Sequence, residues 1–150
     1  MSLDTIISFQ DVPVYQKDSL VLSDVNFELE KGEFLYIIGK TGTGKSSLLK
    51  TIYADLPVKA GSAHVAGFDL RAVRRRDIPF LRRKLGIVFQ DFQLLIDRTV
   101  YENLLFVMKA TGWKDKRKIE ERIQDVLEKV ELGTKGFKMP HQLSGGEQQR

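Results

Sequence analysis

A short stretch in the first third of the chain combines the residue types and spacing needed to bind a nucleotide phosphate. Between residues 39 and 46, two glycines separated by four residues are followed by Lys and Ser, which is the phosphate-loop pattern. Backbone N–H groups in such a loop turn inward around a phosphate, and the start of the following helix adds unpaired donors. Lys45 can reach the β- and γ-phosphates of ATP, and the Ser46 hydroxyl can bind Mg²⁺. The nucleotide-contacting candidates in this stretch are Gly39, Lys40, Thr41, Gly42, Thr43, Gly44, Lys45, Ser46 and Ser47.

A phosphate loop needs a strand before it and a helix after it. Residues 34–38 are an apolar run with the composition of a strand. Residues 46–53 can continue as a helix, with Leu48, Leu49 and Ile52 on one side. The surroundings therefore favour a nucleotide site over the alternative of a glycine-rich turn that binds no nucleotide.

A second apolar run, residues 85–89, also has the composition of a buried strand and ends at Gln90. Open α/β sheets bind ligands at the carboxyl ends of their strands, so this amide is well placed for chemistry. Gln90 can coordinate Mg²⁺ or a water molecule beside the γ-phosphate. The alternative interpretation is an ordinary loop amide.

The composition narrows the class of protein. The chain has 150 residues, 42% of them hydrophobic and 29% charged, which is typical of a globular domain. The net charge of +4 is weak evidence for nucleic-acid or membrane binding. The absence of cysteine excludes disulfides and thiolate metal sites. With no apolar run of about 20 residues and no signal-peptide pattern, we expect a cytoplasmic protein that reaches a membrane only through another subunit.

Two regions flank the phosphate loop and its helix with recognisable patterns. On the N-terminal side, residues 5–12, 20–22 and 25–30 are predicted strands, and residues 62–67 are predicted to form a short strand further along. Tyr15, taken alone, is interpreted as a half-buried strand aromatic.

The second half of the chain predicts helices. Residues 99–111 fit a helix with a capping box formed by Thr99 and Glu102 and a C-terminal Gly112. Residues 115–132 show the clearest helical period in the chain. We expect these two helices to form a small lobe.

An arginine-rich segment, residues 71–84, has two interpretations. It could bind nucleic acid or acidic lipid, or it could be the solvated face of a short basic helix. We favour the solvated face, because aromatic side chains that would stack on bases are not interleaved with the arginines.

The last ten residues add a further pattern. Ser144 followed by Gly145 and Gly146 predicts a serine-capped helix, whose start is also suited to bind an anion. Residues 143–148 resemble the signature motif of ABC ATPases, and the phosphate loop, the Gln90 loop and the signature stand in the order of that family. The resemblance implies an α/β fold: a P-loop NTPase core of ABC type with an N-terminal antiparallel β subdomain and a helical subdomain.

The resemblance also implies roles for individual residues. Tyr15 matches the aromatic residue that stacks on adenine, and Gln90 matches the residue that couples the γ-phosphate to the helical subdomain. Two copies are implied to pair head to tail, so that ATP on Lys45 and Ser46 of one copy is capped by Ser144, Gly145 and Gly146 of the other. The implied catalytic residues are Lys45, Gln90 and Ser144, with ATP as the nucleotide and Mg²⁺ on Ser46 and Gln90.

The same resemblance divides the chain and predicts its partners. About residues 1–90 correspond to the ATP-binding core with the β subdomain, 91–140 to the helical subdomain, and 141–150 to the signature and the start of its helix. The helical subdomain is implied to contact an integral membrane partner at the inner face of the cell membrane. Direct binding to nucleic acid is not expected.

Within the family, residues 86–95 and 99–103 are similar to the FtsE subfamily of cell-division ATP-binding proteins. That similarity implies ATP-driven dimerisation coupled to an FtsX-like membrane protein in cell division and cell-wall remodelling. The alternatives are a subunit of a lipoprotein-release or macrolide exporter, a soluble ABC ATPase acting on nucleic acid or ribosomes, and a nucleotide-binding regulator without catalysis.

Elements that the family places after the signature are expected beyond Arg150. They include the strand ending in Asp-Glu, whose Glu polarises the attacking water. We therefore expect these 150 residues to be the N-terminal portion of a longer ATPase and to hydrolyse ATP poorly on their own.

Overall fold

The structure, a computed structural model, describes residues 4–150. The chain forms two compact units whose boundary lies between Gly86 and Ile87. None of the helices among the described residues is both long and apolar enough to cross a bilayer.

The first unit is built on an antiparallel sheet of four strands. The strands are β1 (Thr5–Gln16), β2 (Ser19–Glu30), β3 (Ser62–Val65) and β4 (Phe68–Asp69), in the order β2-β1-β3-β4. The strands predicted at residues 5–12 and 62–67 are confirmed, and those predicted at 20–22 and 25–30 are parts of one strand, β2. Asp24 lies between those parts with a positive φ of 51°, and β1 and β2 shift register beside it.

Helix α1 (Lys45–Ile52) and the short helix α2 (Ile78–Arg82) complete the first unit. Its core contains the buried side chains of the sheet and one from each helix. These are Phe9, Val12, Val14, Ala63, Val65, Leu48 and Leu81, together with Val58 and Leu70. The core fixes α1 against the sheet, and α1 in turn fixes the end of the phosphate loop.

The two predicted strands at residues 34–38 and 85–89 are wrong for this structure. Both segments are irregular, and neither belongs to a ladder among residues 4–150. Ile38 is 89% exposed and Val88 is 79% exposed. A strand exists only with a hydrogen-bonded neighbour, and apolar composition cannot supply one. The parallel sheet expected of an ABC-type core is therefore not formed among the described residues.

The second unit is helical. It contains α3 (Val100–Ala110), α4 (Lys116–Lys129), a 3₁₀ turn (Pro140–Gln142) and α5 (Gly145–Gln149). Its core is formed by Ile119, Ile123, Leu127 and Leu132, with α3 side chains packed against them. The predicted lobe of two helices is therefore confirmed.

The start of α3 has the predicted capping box. The Thr99 N–H donates to Glu102 Oε2 at 2.8 Å, and the Glu102 N–H donates to Thr99 Oγ1 at 3.2 Å. At the other end, Gly112 follows the last turn with a φ of 95°, a left-handed value that favours glycine.

Candidate nucleotide-binding site

The phosphate loop is closed around its own lysine. The Lys45 ammonium donates to the carbonyl oxygens of Gly39 and Lys40, each at 2.7 Å. The Thr43 hydroxyl also donates to the Lys40 carbonyl, at 2.8 Å. These carbonyls are weaker partners for an ammonium than phosphate oxygens, so a nucleotide that reaches the loop can replace them.

Gly44 joins the loop to α1 and cannot be replaced without strain. It is the N-cap of α1, with a φ of 94°. A Cβ at this position would lie 2.6 Å from Val21 Cγ1 and 3.1 Å from Leu22 Cγ. The helix start therefore rests directly on β2, which only a glycine allows.

The start of α1 is open to an anion. Gly44 has no side chain to cap the first N–H groups, and the first turn contains no acidic residue. Ser46 is exposed, whereas Ser47 is buried at 8% exposure. The unpaired donors and the positive end of the helix dipole favour phosphate at this point.

The β1–β2 hairpin places Tyr15 near the residues that border Gly44. Tyr15 is paired with Leu20, and Val14 is paired with Leu22, whose side chain borders Gly44. The Lys59 ammonium lies 4.6 Å from the centre of the Tyr15 ring. The hairpin register thus brings the adenine-stacking candidate and the phosphate loop together in one unit.

Arginines of segment 71–84 form ion pairs and hydrogen bonds within the first unit. Arg74 Nε lies 2.7 Å from Asp77 Oδ2, and Arg82 Nε donates to the Tyr53 carbonyl at 3.0 Å. These contacts support the interpretation as a solvated structural face.

Gln90 lies in the second unit, on an exposed turn. The turn is closed by a hydrogen bond of 3.3 Å from the Phe92 N–H to the Phe89 carbonyl. The Asn103 side chain holds the end of the same loop, accepting from the Leu95 N–H at 2.8 Å and donating to the Leu95 carbonyl at 3.0 Å. Sequence reasoning missed Asn103, although its place in the first turn after the capping box suits an amide that bonds to a neighbouring loop.

The predicted serine cap at the start of α5 is confirmed. Ser144 Oγ accepts from the Glu147 N–H at 3.3 Å, and the Ser144 N–H donates to Glu147 Oε2 at 2.8 Å. Lys135 forms an ion pair with the same carboxylate. The hydrogen bond from Lys135, together with that from the Ser144 N–H, lowers the pKa of the Glu147 carboxyl from 4.5 to about 2. Gly145 and Gly146 are exposed, with open space around them.

The Gln90 loop and the signature helix line one cavity of about 300 Å³ in the second unit. Phe89 and Phe92, on either side of Gln90, contribute to its wall, and so do Glu147 and Gln148. The Gln90 loop and the signature helix are therefore neighbours in this unit.

Comparisons with known proteins identify the family of this chain. The family model described as ABC transporter matches residues 22–150. The chain belongs to the ABC transporter family. The membership expected from the motifs is thereby confirmed.

Several curated family members from bacteria are close in sequence. The cell division ATP-binding protein FtsE of Streptococcus pneumoniae (strain D39) is 42% identical over 147 residues, which cover 97% of this chain and 64% of that protein. FtsE of Escherichia coli K12 is 40% identical over 149 residues, covering 97% and 65% of the two chains. The chain therefore spans slightly less than two thirds of the length of these relatives.

Solved structures of family members share the fold. A dimeric structure of MJ0796, a bacterial ABC transporter cassette, matches with a TM-score of 0.82 and 27% identity, over 95% of this chain and 65% of that one. A second structure, of the post-hydrolysis state of the same cassette bound to ADP and Pi, also gives 0.82, with 26% identity over the same shares of the two chains. The ABC-type fold class is thus confirmed.

The residues present are compatible with Mg²⁺. Ser46 offers one exposed hydroxyl beside the open start of α1. Mg²⁺ keeps several waters and binds substrate phosphates together with a few protein oxygens, so the Ser46 hydroxyl can supply one of its ligands. No group of three or more His, Cys, Asp or Glu able to hold a metal lies within residues 4–150.

Proposed function

We propose that the chain is the nucleotide-binding portion of an ABC-type ATPase that couples ATP-driven pairing of two copies to a membrane partner in cell division and cell-wall remodelling. The similarity to proteins named for cell division supports the biological role. The observation that carries the biochemical role is the Lys45 ammonium, held by two loop carbonyls at the start of an uncapped helix.

In the proposed mechanism, one copy binds ATP through residues of its first unit. The Tyr15 ring stacks on adenine, and the Lys45 ammonium exchanges its two carbonyl partners for β- and γ-phosphate oxygens. Loop residues 39–44 and the N–H groups of Lys45, Ser46 and Ser47 surround the phosphates. The Ser46 hydroxyl holds Mg²⁺, which offsets phosphate charge when bound.

A second copy completes the site. Ser144, Gly145 and Gly146 of this second copy approach the γ-phosphate from the opposite side. Gln90 of the copy that holds the ATP orients the attacking water and contacts the γ-phosphate. Water attacks the γ-phosphorus, and the bond to the bridging oxygen of ADP breaks, giving ADP and phosphate. Catalysis comes from positioning and charge neutralisation rather than from a covalent intermediate. Both similar structures are described as dimeric, and one of them is also described as bound to ADP and Pi, which supports this arrangement.

Replacing Lys45 tests the binding role. Lys45→Met removes the ammonium and keeps most of the side-chain length. Hydrogen bonds to charged groups contribute roughly 1.5–3 kcal/mol, so we expect ATP affinity to fall about 10- to 100-fold. A titration with a fluorescent ATP analogue in the presence of Mg²⁺ measures it.

The matched control is Lys50→Met, which removes an exposed lysine from the last turn of α1. Its affinity should equal that of the unchanged chain. An unchanged affinity in the Lys45 variant would remove the phosphate loop from the proposal.

The exposed side of α3 supports a protein partner. Phe106 and Val107 on this helix are 49% and 56% exposed, and Trp113 just after it is 43% exposed. Exposed apolar side chains that share one surface can mark a protein-interaction site. We propose that an FtsX-like integral membrane protein binds here and holds the chain at the inner face of the membrane.

Affinity capture from solubilised cells tests the partner. Val107→Asp should reduce recovery of a membrane protein, while Lys109→Asp, close by on the same helix, should reduce it less. ATP binding should stay unchanged in both variants. Recovery of RNA or DNA instead of a membrane protein would favour a soluble ABC ATPase.

A further inference from the structure

One loop of the second unit contacts the starts of two different helices. The loop, residues 132–139, follows α4 and is anchored by Leu132, which is 3% exposed. Backbone hydrogen bonds fold it into consecutive turns, from the Lys135 N–H to the Leu132 carbonyl at 2.8 Å and from the Lys138 N–H to the Lys135 carbonyl at 3.0 Å. The loop is therefore a defined structure and not a loose connection.

The loop first satisfies the start of α3. The Val100 N–H donates to the Lys138 carbonyl at 2.9 Å, and the Tyr101 N–H donates to the Gly136 carbonyl at 2.8 Å. The first N–H groups of a helix have no partner within the helix, so these two bonds replace water or a ligand. A displacement of the α3 start must therefore displace the loop.

Lys135 connects the same loop to the start of α5. Its ammonium contacts Glu147 Oε1, while Glu147 Oε2 accepts from the Ser144 N–H. The lysine side chain is 33% exposed and the glutamate side chain 17% exposed. Both oxygens of one carboxylate are thus used, one by the loop and the other by the serine turn.

We infer that Lys135 is a positioning residue that fixes the Ser144 turn to the start of α3 through Glu147. The inference rests on the proposed function, in which the Ser144 turn meets ATP bound to a second copy and α3 meets the membrane partner. Under that function, Lys135 carries a displacement of α3 to the turn that closes the ATP site. No motif contains Lys135, and its role follows only from these contacts.

The alternative is an ion pair with no consequence beyond local stability. Partly exposed ion pairs contribute little to the stability of the fold, and removal of such a pair changes little else. A positioning role differs because it predicts looser geometry at Ser144 and weaker pairing of two copies, with ATP binding by one copy unchanged.

Three variants separate the alternatives. Lys135→Met removes the charge, and Lys135→Arg restores a donor at the same place. Lys129→Met is the matched control, since it removes an ion pair with Asp125 on the surface of α4 without touching the loop. Thermal unfolding verifies that all three variants fold.

The first readout is the geometry of the turn in the free chain, measured by NMR. In Lys135→Met, we expect the Ser144 amide to exchange its hydrogen faster and the Glu147 pKa to rise from about 2 towards its ordinary value. Lys135→Arg and Lys129→Met should resemble the unchanged chain. Unchanged exchange at Ser144 in Lys135→Met, or equal acceleration in Lys129→Met, overturns the positioning role.

The second readout is ATP-dependent pairing, measured by sedimentation with a non-hydrolysable ATP analogue. Residues that link two sites typically alter their coupling by about 2- to 30-fold, and we expect a change of that size in Lys135→Met, largely restored in Lys135→Arg. If the unchanged chain does not pair with the analogue, the proposed function fails there, while the exchange measurement still decides the role of Lys135. Normal pairing in Lys135→Met, with loosened Ser144, overturns the link to function.

Discussion

The two helix starts proposed to hold ATP differ in what occupies them. At the start of α1, Gly44 provides no cap, and the charged group that contacts the loop carbonyls is the Lys45 ammonium. At the start of α5, Ser144 and Glu147 bond to each other, and the Glu147 carboxylate is held by Lys135. The first start has no cap, whereas at the second the Glu147 N–H is capped by Ser144 and the Glu147 carboxylate lies beside the Ser144 turn.

Under the proposed function, this difference predicts that a single copy binds ATP before pairing. An open helix start with a lysine attracts phosphate, whereas a capping box that contains a carboxylate uses part of its donors internally and adds negative charge. We therefore expect the phosphate loop to set the affinity of one copy for ATP. The Ser144 turn should contribute only when two copies meet.

The largest effect is expected at the open start. Gly44→Ala places a Cβ against Val21 and forces a left-handed φ on alanine. Crowding and backbone strain together should lower the free energy of unfolding by about 2–5 kcal/mol. Denaturant titration measures it. Gly42→Ala is the control, because its φ is 85° but its Cβ would have open space, so it should cost only about 1–2 kcal/mol. Equal losses would show that Gly44 does not rest on β2.

A smaller effect on stability is expected at the capped start of α5. Ser144→Ala removes the side-chain cap, which contributes about 1 kcal/mol to stability. Thr99→Ala removes the equivalent cap at α3 and should cost a similar amount. Only Ser144→Ala should weaken ATP-dependent pairing, as measured by sedimentation. Equal ATP-dependent pairing in the two variants would show that Ser144 acts only as a helix cap.

The smallest effect concerns pH. The folded-state pKa of Glu147 is about 2, below its ordinary value of 4.5, so its contribution to stability is complete above pH 4.5. That contribution is lost as the pH falls through the range from 4.5 to 2. Glu147→Gln should be less stable than the unchanged chain at neutral pH, and the gap should narrow below pH 4.5. A gap that is constant from pH 7 to 3 would show that the carboxylate is not held in its charged form.

The features that the sequence predicted correctly depend on neighbours along the chain. The helix after the phosphate loop, the Thr99 capping box and the Ser144 cap each involve residues a few positions apart, where spacing fixes geometry. Strand β1 runs past Pro13, where sequence reasoning ended it. Proline lacks a donor, but Pro13 falls where β1 and β2 shift register and β3 no longer pairs.

The features that the sequence did not predict depend on residues that are distant along the chain. Residues 34–38 have the composition of a strand, yet composition does not provide the neighbouring strand that would pair with them. Lys59 lies beside Tyr15, and Lys135 beside Glu147, in contacts that no motif contains. Ser47, a candidate contact for the nucleotide, turned out to be buried, so its hydroxyl stays a prediction.

The central claim is that the loop at the open helix start holds the triphosphate of ATP. The most direct test is a crystal structure of the chain with Mg²⁺ and a non-hydrolysable ATP analogue. We predict that Lys45 Nζ leaves the carbonyls of Gly39 and Lys40 and lies about 2.7–3.2 Å from phosphate oxygens, with the N–H groups after Gly42 around the same phosphates. A nucleotide bound elsewhere, with Lys45 still on its two carbonyls, would contradict the claim.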